Sequence, residues 1–214
     1  METDPEIPQG TGSLPSDIPP TLRRIFERKE LFLKFGYDLD RERDEIVRCS
    51  LPLTGKILEA GPGKGHFSAA LARQSVPFIS VDISSEDQKT AELFLNFLGL
   101  RHFADLRVQN GEQLNFPDAT FDMVFSINAL HHFEKPYKVA DELIRVLKPR
   151  GRLVISDFSE KGFDLMDQIH ALEGNSHSRG ELPLTGIEDY LEKKDFILKK
   201  CATVFQQTLV AEKP

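Results

Sequence analysis

The chain has no tryptophan and only two cysteines and three tyrosines among its 214 residues. Without an indole, ligand binding has no intrinsic tryptophan signal. Cys49 and Cys201 stand alone, with no metal-ligand or dithiol spacing, so they are read as reduced thiols rather than a metal site, a redox pair or a disulfide. No run approaches about 18 uninterrupted apolar residues, which argues against a membrane-spanning helix. The first residues are acidic and proline-rich rather than basic and apolar, so no signal peptide is read and a cytoplasmic protein is expected. Basic charge is scarce as well. The formal net charge is −7, and Glu2, Asp4, Glu6 and Asp17 face no lysine or arginine in the first 20 residues. Nucleic-acid binding generally needs the opposite field. The expected partner is a small molecule, with no nucleic acid or membrane, and the protein is expected to be a monomer or homodimer.

With 40% hydrophobic and 29% charged residues, the composition suits one soluble α/β domain. Residues 1–20 hold five prolines and two glycines and read as a disordered leader, leaving 21–214 as the domain. Leu22, Ile25, Phe26 and Leu33 mark an amphipathic helix from Thr21, and a second runs from Asp38 to Arg48. This 21–50 segment is read as cover helices, with a lid that brings Phe35 or Tyr37 to substrate as the alternative.

The centre of the chain is Ile57 to Gly65, ILEAGPGKG: a short apolar strand that ends on Glu59 and turns through Gly61, Gly63 and Gly65 into a helix. A dinucleotide motif would place its third glycine where His66 stands. An acid directly before the glycines suits an ammonium group better than a phosphate. Pro77 to Asp82 reads as a second buried strand, and Asp82 lies where a doubly wound fold puts a ribose-binding carboxylate. Ser84 and Ser85 read as candidate caps, with Gln88 completing a capping box, for a helix over 86–98.

Ala104, Leu106 and Val108 alternate as a third strand, followed by the polar turn Asn110, Gly111 and Glu112. Met123 to Ser126 is a fourth strand, with Asn128 and then His131 and His132 beyond its end. A helix from Pro136 is read as stopping at Pro149 and Gly151, before a fifth strand over Leu153 to Asp157. Strands separated by helices imply a parallel sheet, so Glu59, Asp82, Asn110, Asn128 and Asp157 share its carboxyl edge. Phe163 to Leu172 reads as a helix broken by Gly174, and Thr185 with Glu188 as the capping box of another. Two final strands, Phe196 to Cys201 and Thr208 to Ala211, suggest a hairpin.

His131 is a candidate general base, with a packing or capping role as its alternative. His170, Glu173 and His177 would share one helix face and could hold a metal, but Gly174 interrupts that face. The preferred reading is a substrate cap over 157–185 in which His170, His177 and Arg179 orient an anionic or phenolic acceptor, with no metal.

In their joint order ILEAGPGKG, VDIS, NFPDATFDMVFSINALHHF and ELIRVLKPRGRLVISDF resemble the class I S-adenosylmethionine-dependent methyltransferases, closest to the small-molecule branch called type 11. The resemblance is strong over Lys56 to Asp157. It implies a Rossmann-like, doubly wound and mostly parallel seven-stranded sheet with a C-terminal antiparallel hairpin. It also implies S-adenosylmethionine as cofactor and S-adenosylhomocysteine as product. Glu59, Gly61, Gly63 and Gly65 would hold the methionine end, Asp82 the ribose and Ile83 one adenine face. Asn110, Gly111 and Glu112 would lie near the adenine amino group, with Asn110 where the family commonly has an acid, and Asn128 would border the site. The activity implied is methyl transfer to a small molecule; a SAM-binding regulatory protein without chemistry and an RNA methyltransferase are the alternatives.

Overall fold

The computed structural model describes residues 17–176, 179–180 and 182–214. The leader therefore falls almost entirely outside the described residues, and so does His177. Seven strands form one sheet in the order β3-β2-β1-β4-β5-β7-β6. They are β1 (Ile57–Ala60), β2 (Phe78–Asp82), β3 (Ala104–Val108), β4 (Phe121–Ile127), β5 (Leu147–Phe158), β6 (Ile197–Ala202) and β7 (Gln206–Glu212). The first five run parallel, while β7 pairs antiparallel with both β5 and β6. Chain order reverses between β1 and β4, which opens a crevice at their carboxyl ends.

Alternation along the strands divides the core into two layers. Ile57, Met123, Phe125, Val154 and Val210 pack with α1 (Pro20–Lys34), α2 (Leu39–Cys49), α3 (His66–Ala72) and α4 (Ser85–Phe97). Leu58, Val124, Ile155 and Leu209 face the other way, onto α5 (Pro136–Val146) and α7 (Leu184–Glu192). Each fully buried side chain of this size contributes about 2 kcal/mol, so neither face can turn outward. A third cluster joins the end of α1 and Tyr37 to α6 (Glu160–Leu172) through Phe32, Leu165, Met166 and Ile169. Among the described residues no helix is long and apolar enough to cross a membrane.

Four local expectations are corrected. Cys49 and Cys201 form a disulfide, with Cα atoms 6.4 Å apart across a sequence separation of 152; folding lays the end of α2 beside edge strand β6. Helix α5 ends at Val146 rather than at Pro149, because Leu147 pairs with Phe121, so Pro149 and Gly151 lie inside β5. Ser84 does accept from Asp87 N (3.1 Å), but Gln88 turns inward to Ser80 O and Arg107 O instead of closing a capping box. Helix α7 begins one residue before Thr185 with Pro183 as its cap, and Glu188 pairs with Lys200 of β6.

Candidate active site

Gly61, directly after β1, has φ +81° and donates to Val81 O at 2.9 Å. A Cβ there would stand 2.7 Å from the Cβ of Ala129, so the segment after β4 closes on the turn only because this position is glycine. Gly63 also has positive φ, but no atom lies within 4 Å of where its Cβ would be. Its amide donates to Asp82 Oδ2 at 3.3 Å, and Asp82 Oδ1 accepts from Ser84 N at 2.9 Å. Burial raises the pKa of Asp82, against the pull of these amide bonds. Two oxygens fixed by two turns leave lone pairs free for hydroxyl donors.

Glu59 is 1% exposed. Its Oε2 accepts from Ser68 Oγ (2.6 Å) and Ser80 Oγ (2.8 Å), while Oε1 has no hydrogen-bond partner among the described residues. Burial pushes its pKa up to about 7; the two serines oppose this and nearby Asp82 adds to it. Next to it in the sheet, β4 ends on a second unsatisfied group. Asn128 has φ +50°, and both polar atoms of its buried side-chain amide lack partners, as does Ser126 Oγ. Native interiors rarely leave such atoms unmatched, and together they mark where a ligand with both donors and acceptors belongs.

Beyond Asn128, the imidazole of buried His131 meets Asp157 at the end of β5. Its Nδ1 lies 2.8 and 2.9 Å from the two carboxylate oxygens, and Asp157 Oδ1 also accepts from Phe158 N. Donation from Nδ1 fixes the tautomer and makes Nε2 the basic nitrogen.

Residues 58–155 match the methyltransferase domain family. Over this stretch the chain carries a methyltransferase domain. It is 32% identical to the uncharacterised methyltransferase YcgJ of Bacillus subtilis over 130 residues, covering 58% of this chain and 50% of that one. The ubiquinone/menaquinone biosynthesis C-methyltransferase UbiE of Haemophilus ducreyi is also 32% identical, over 157 residues, covering 72% and 59%. The chain thus spans little more than half the length of these curated relatives. The solved YcgJ structure superposes with a TM-score of 0.59 at 22% identity, covering 76% of this chain and 71% of that one. The cyclase SpnF does so with a TM-score of 0.65 at 18% identity, covering 82% and 80%. These superpositions establish the fold and nothing finer.

S-adenosylmethionine is the cofactor of this methyltransferase family, and the residues present fit it. Glu59 Oε1 and Asn128 Oδ1 lack donors that an ammonium group can supply, Gly63 leaves open space, and Asp82 offers acceptors for ribose hydroxyls. Ile83, 68% exposed, is free to cover an adenine face. The polar turn is less open than its sequence suggests. Asn110 Oδ1 accepts from Glu112 N (2.9 Å), Glu112 lies 3.2 Å from Lys138, and Gly111 rests on Val139.

The described cap residues are engaged with partners of their own. His170 Nδ1 donates to Met166 O (2.9 Å) and its Nε2 accepts from Arg28 (3.0 Å), so both ring nitrogens are occupied. Arg28 also pairs with Glu173 at 3.2 Å, placing a guanidinium beside both groups of the proposed ligand face. Among the described residues no cluster could hold a metal. Arg179 pairs with Asp164 (2.7 Å), Asp167 (2.5 Å) and Glu160 (3.4 Å), and its guanidinium lies over the Phe163 ring, which packs on His131. Ser126, Arg43 and the serines that hold Glu59 escaped sequence reasoning. Ser80 and Ser126 interrupt otherwise apolar strands, which was the available signal.

Proposed function

We propose that this protein transfers a methyl group from S-adenosylmethionine to a small-molecule acceptor, releasing S-adenosylhomocysteine. The carrying observation is the pair of unsatisfied buried groups, Glu59 Oε1 and the Asn128 amide, beside a glycine turn at the reversal of strand order. Bound S-adenosylmethionine supplies a methyl group already activated on a sulfonium. The chain's own work is then to align the acceptor and, where the acceptor must lose a proton, to take it. His131 serves as that base at Nε2, and Asp157 holds its ring and stabilises the imidazolium. The quinone-pathway name of the Haemophilus relative and the deficit of basic charge both support a small acceptor over RNA.

Calorimetric titration with S-adenosylmethionine, S-adenosylhomocysteine and NAD tests the cofactor. The two sulfur compounds should bind and NAD should not, and Asp82→Ala should weaken binding roughly 10- to 100-fold. Absence of binding by either sulfur compound refutes the reading. Binding without S-adenosylhomocysteine formation in acceptor mixtures would favour a non-catalytic binder.

A further inference from the structure

Among the described residues Arg43 is a buried cation without an anion. It is 7% exposed, and its one hydrogen bond among the described residues is to Tyr37 Oη at 3.3 Å. The carboxylates flanking it on α2 are committed elsewhere: Asp40 to Lys29, and Glu42 to Thr203 Oγ1. A guanidinium cannot shed its charge as a buried lysine can, so the cost of burial persists until an anion arrives.

Tyr37 is equally short of an acceptor. It is 1% exposed, and its hydroxyl accepts from Gln206 Nε2 (3.0 Å) as well as from Arg43 Nη1. The Gln206 amide is oriented by Ser156 Oγ, 3.2 Å from its Oε1, and Ser156 Oγ in turn accepts from Thr208 Oγ1 at 2.9 Å. With both lone pairs of Tyr37 occupied, only its proton remains to be given. Among the described residues nothing receives it. Arg43 and Tyr37 therefore present donors alone, held by a buried polar chain anchored in β5 and β7.

The pair also borders the cleft. The Phe158 ring lies 6.3 Å from Tyr37 and 5.9 Å from His131, centroid to centroid, so one aromatic side chain separates these donors from the His131–Asp157 pair. On the other side is His66, the residue after the glycine turn. Burial lowers its pKa to about 3, and Arg43 adds more to that effect than any other nearby cation.

We infer that Arg43 and Tyr37 form an oxyanion subsite beside the methyltransferase cleft, and that it takes a carboxylate. Two ligands of the reaction could carry one: the methionine end of the cofactor, or an acid acceptor. The inference rests on the methyl-transfer reading for the identity of these ligands.

The test is calorimetry on the full chain with Arg43→Met, Arg43→Lys and Tyr37→Phe, paired with thermal unfolding of each unliganded variant. The probes are S-adenosylhomocysteine, decarboxylated S-adenosylmethionine, and benzoate titrated into protein saturated with S-adenosylhomocysteine. Arg43→Met should lose roughly 10- to 100-fold in affinity for the carboxylate ligand while unfolding at no lower a temperature than wild type, because it removes a lone buried charge. Arg43→Lys should recover part of that loss, and Tyr37→Phe should show a smaller one. A loss seen with S-adenosylhomocysteine but not with the decarboxylated compound assigns the subsite to the cofactor. A loss confined to benzoate assigns it to the acceptor. Wild-type affinities for both in Arg43→Met would overturn the inference, and so would a lowered unfolding temperature with equal losses for all three probes. Failure of the wild-type protein to bind S-adenosylhomocysteine would remove the methyl-transfer reading, and this subsite with it.

Discussion

Glu59 offers the sharpest physical test. Its pKa is raised from the ordinary 4.5 to about 7 in the folded chain, chiefly by burial. A group whose folded pKa lies above its unfolded value stabilises the protein below the unfolded value, and that stabilisation is lost as pH rises through the folded one. Between about pH 5 and pH 8 the loss amounts to roughly 2 to 3 kcal/mol, since a tenfold change in an ionisation constant is worth about 1.4 kcal/mol. Glu59→Gln keeps the shape, can keep the serine hydrogen bonds and never ionises. Relative to this variant, the unliganded wild type should therefore lose roughly 2 to 3 kcal/mol on going from about pH 5 to pH 8. For a chain of this size that is a change of roughly 5 to 10 °C in the difference between their melting temperatures. The comparison isolates Glu59, because every other titrating group is common to both proteins. Thermal unfolding followed by circular dichroism at the two pH values suffices. A melting-temperature difference independent of pH would refute the assignment of Glu59 as a carboxyl held near neutrality. Ligand binding should respond in the opposite sense: S-adenosylhomocysteine should bind wild type more tightly as pH rises, because its ammonium group pairs with the ionised form.

The remaining predictions concern other parts of the site and its frame. Gly61→Ala combines positive φ with a 2.7 Å contact to Ala129; it should destabilise by about 1 to 3 kcal/mol in urea titrations and weaken cofactor binding. Asp157→Asn should lower turnover at least about tenfold while S-adenosylhomocysteine affinity stays unchanged; unchanged turnover would reduce the pair to packing. Replacing both Cys49 and Cys201 by serine opens a loop of 152 residues and should cost about 2 to 4 kcal/mol in chemical denaturation, an effect that reductant should reproduce in wild type.

The glycine turn, the acids at strand ends and the strand-helix alternation were legible because each follows from short-range chemistry. Glycines allow a bend, apolar runs select buried strands, and parallel pairing then forces Glu59, Asp82, Asn128 and Asp157 to one edge. The fate of individual polar groups was less legible. His170 and Arg179, with His177, looked like a substrate-facing set, yet Arg28 takes up His170 and the acids of α6 take up Arg179, across 142 and 12 residues of sequence. Gln88 looked like half of a capping box and instead ties β2 to β3.

What the sequence by itself determined was the architecture and the position of the cleft, since periodicity and turn chemistry act within a few residues and the parallel connection has one favoured hand. Only the tertiary structure decided which polar atoms remain unsatisfied. Arg43, Tyr37 and Gln206 are separated by up to 169 residues and meet because α2 packs over the β5–β7 junction. The same packing joins Cys49 to Cys201. Desolvation and the supply of partners are properties of the assembled interior, and they turn an ordinary glutamate into a carboxyl with a pKa near 7 and an ordinary arginine into a buried charge awaiting its counter-ion.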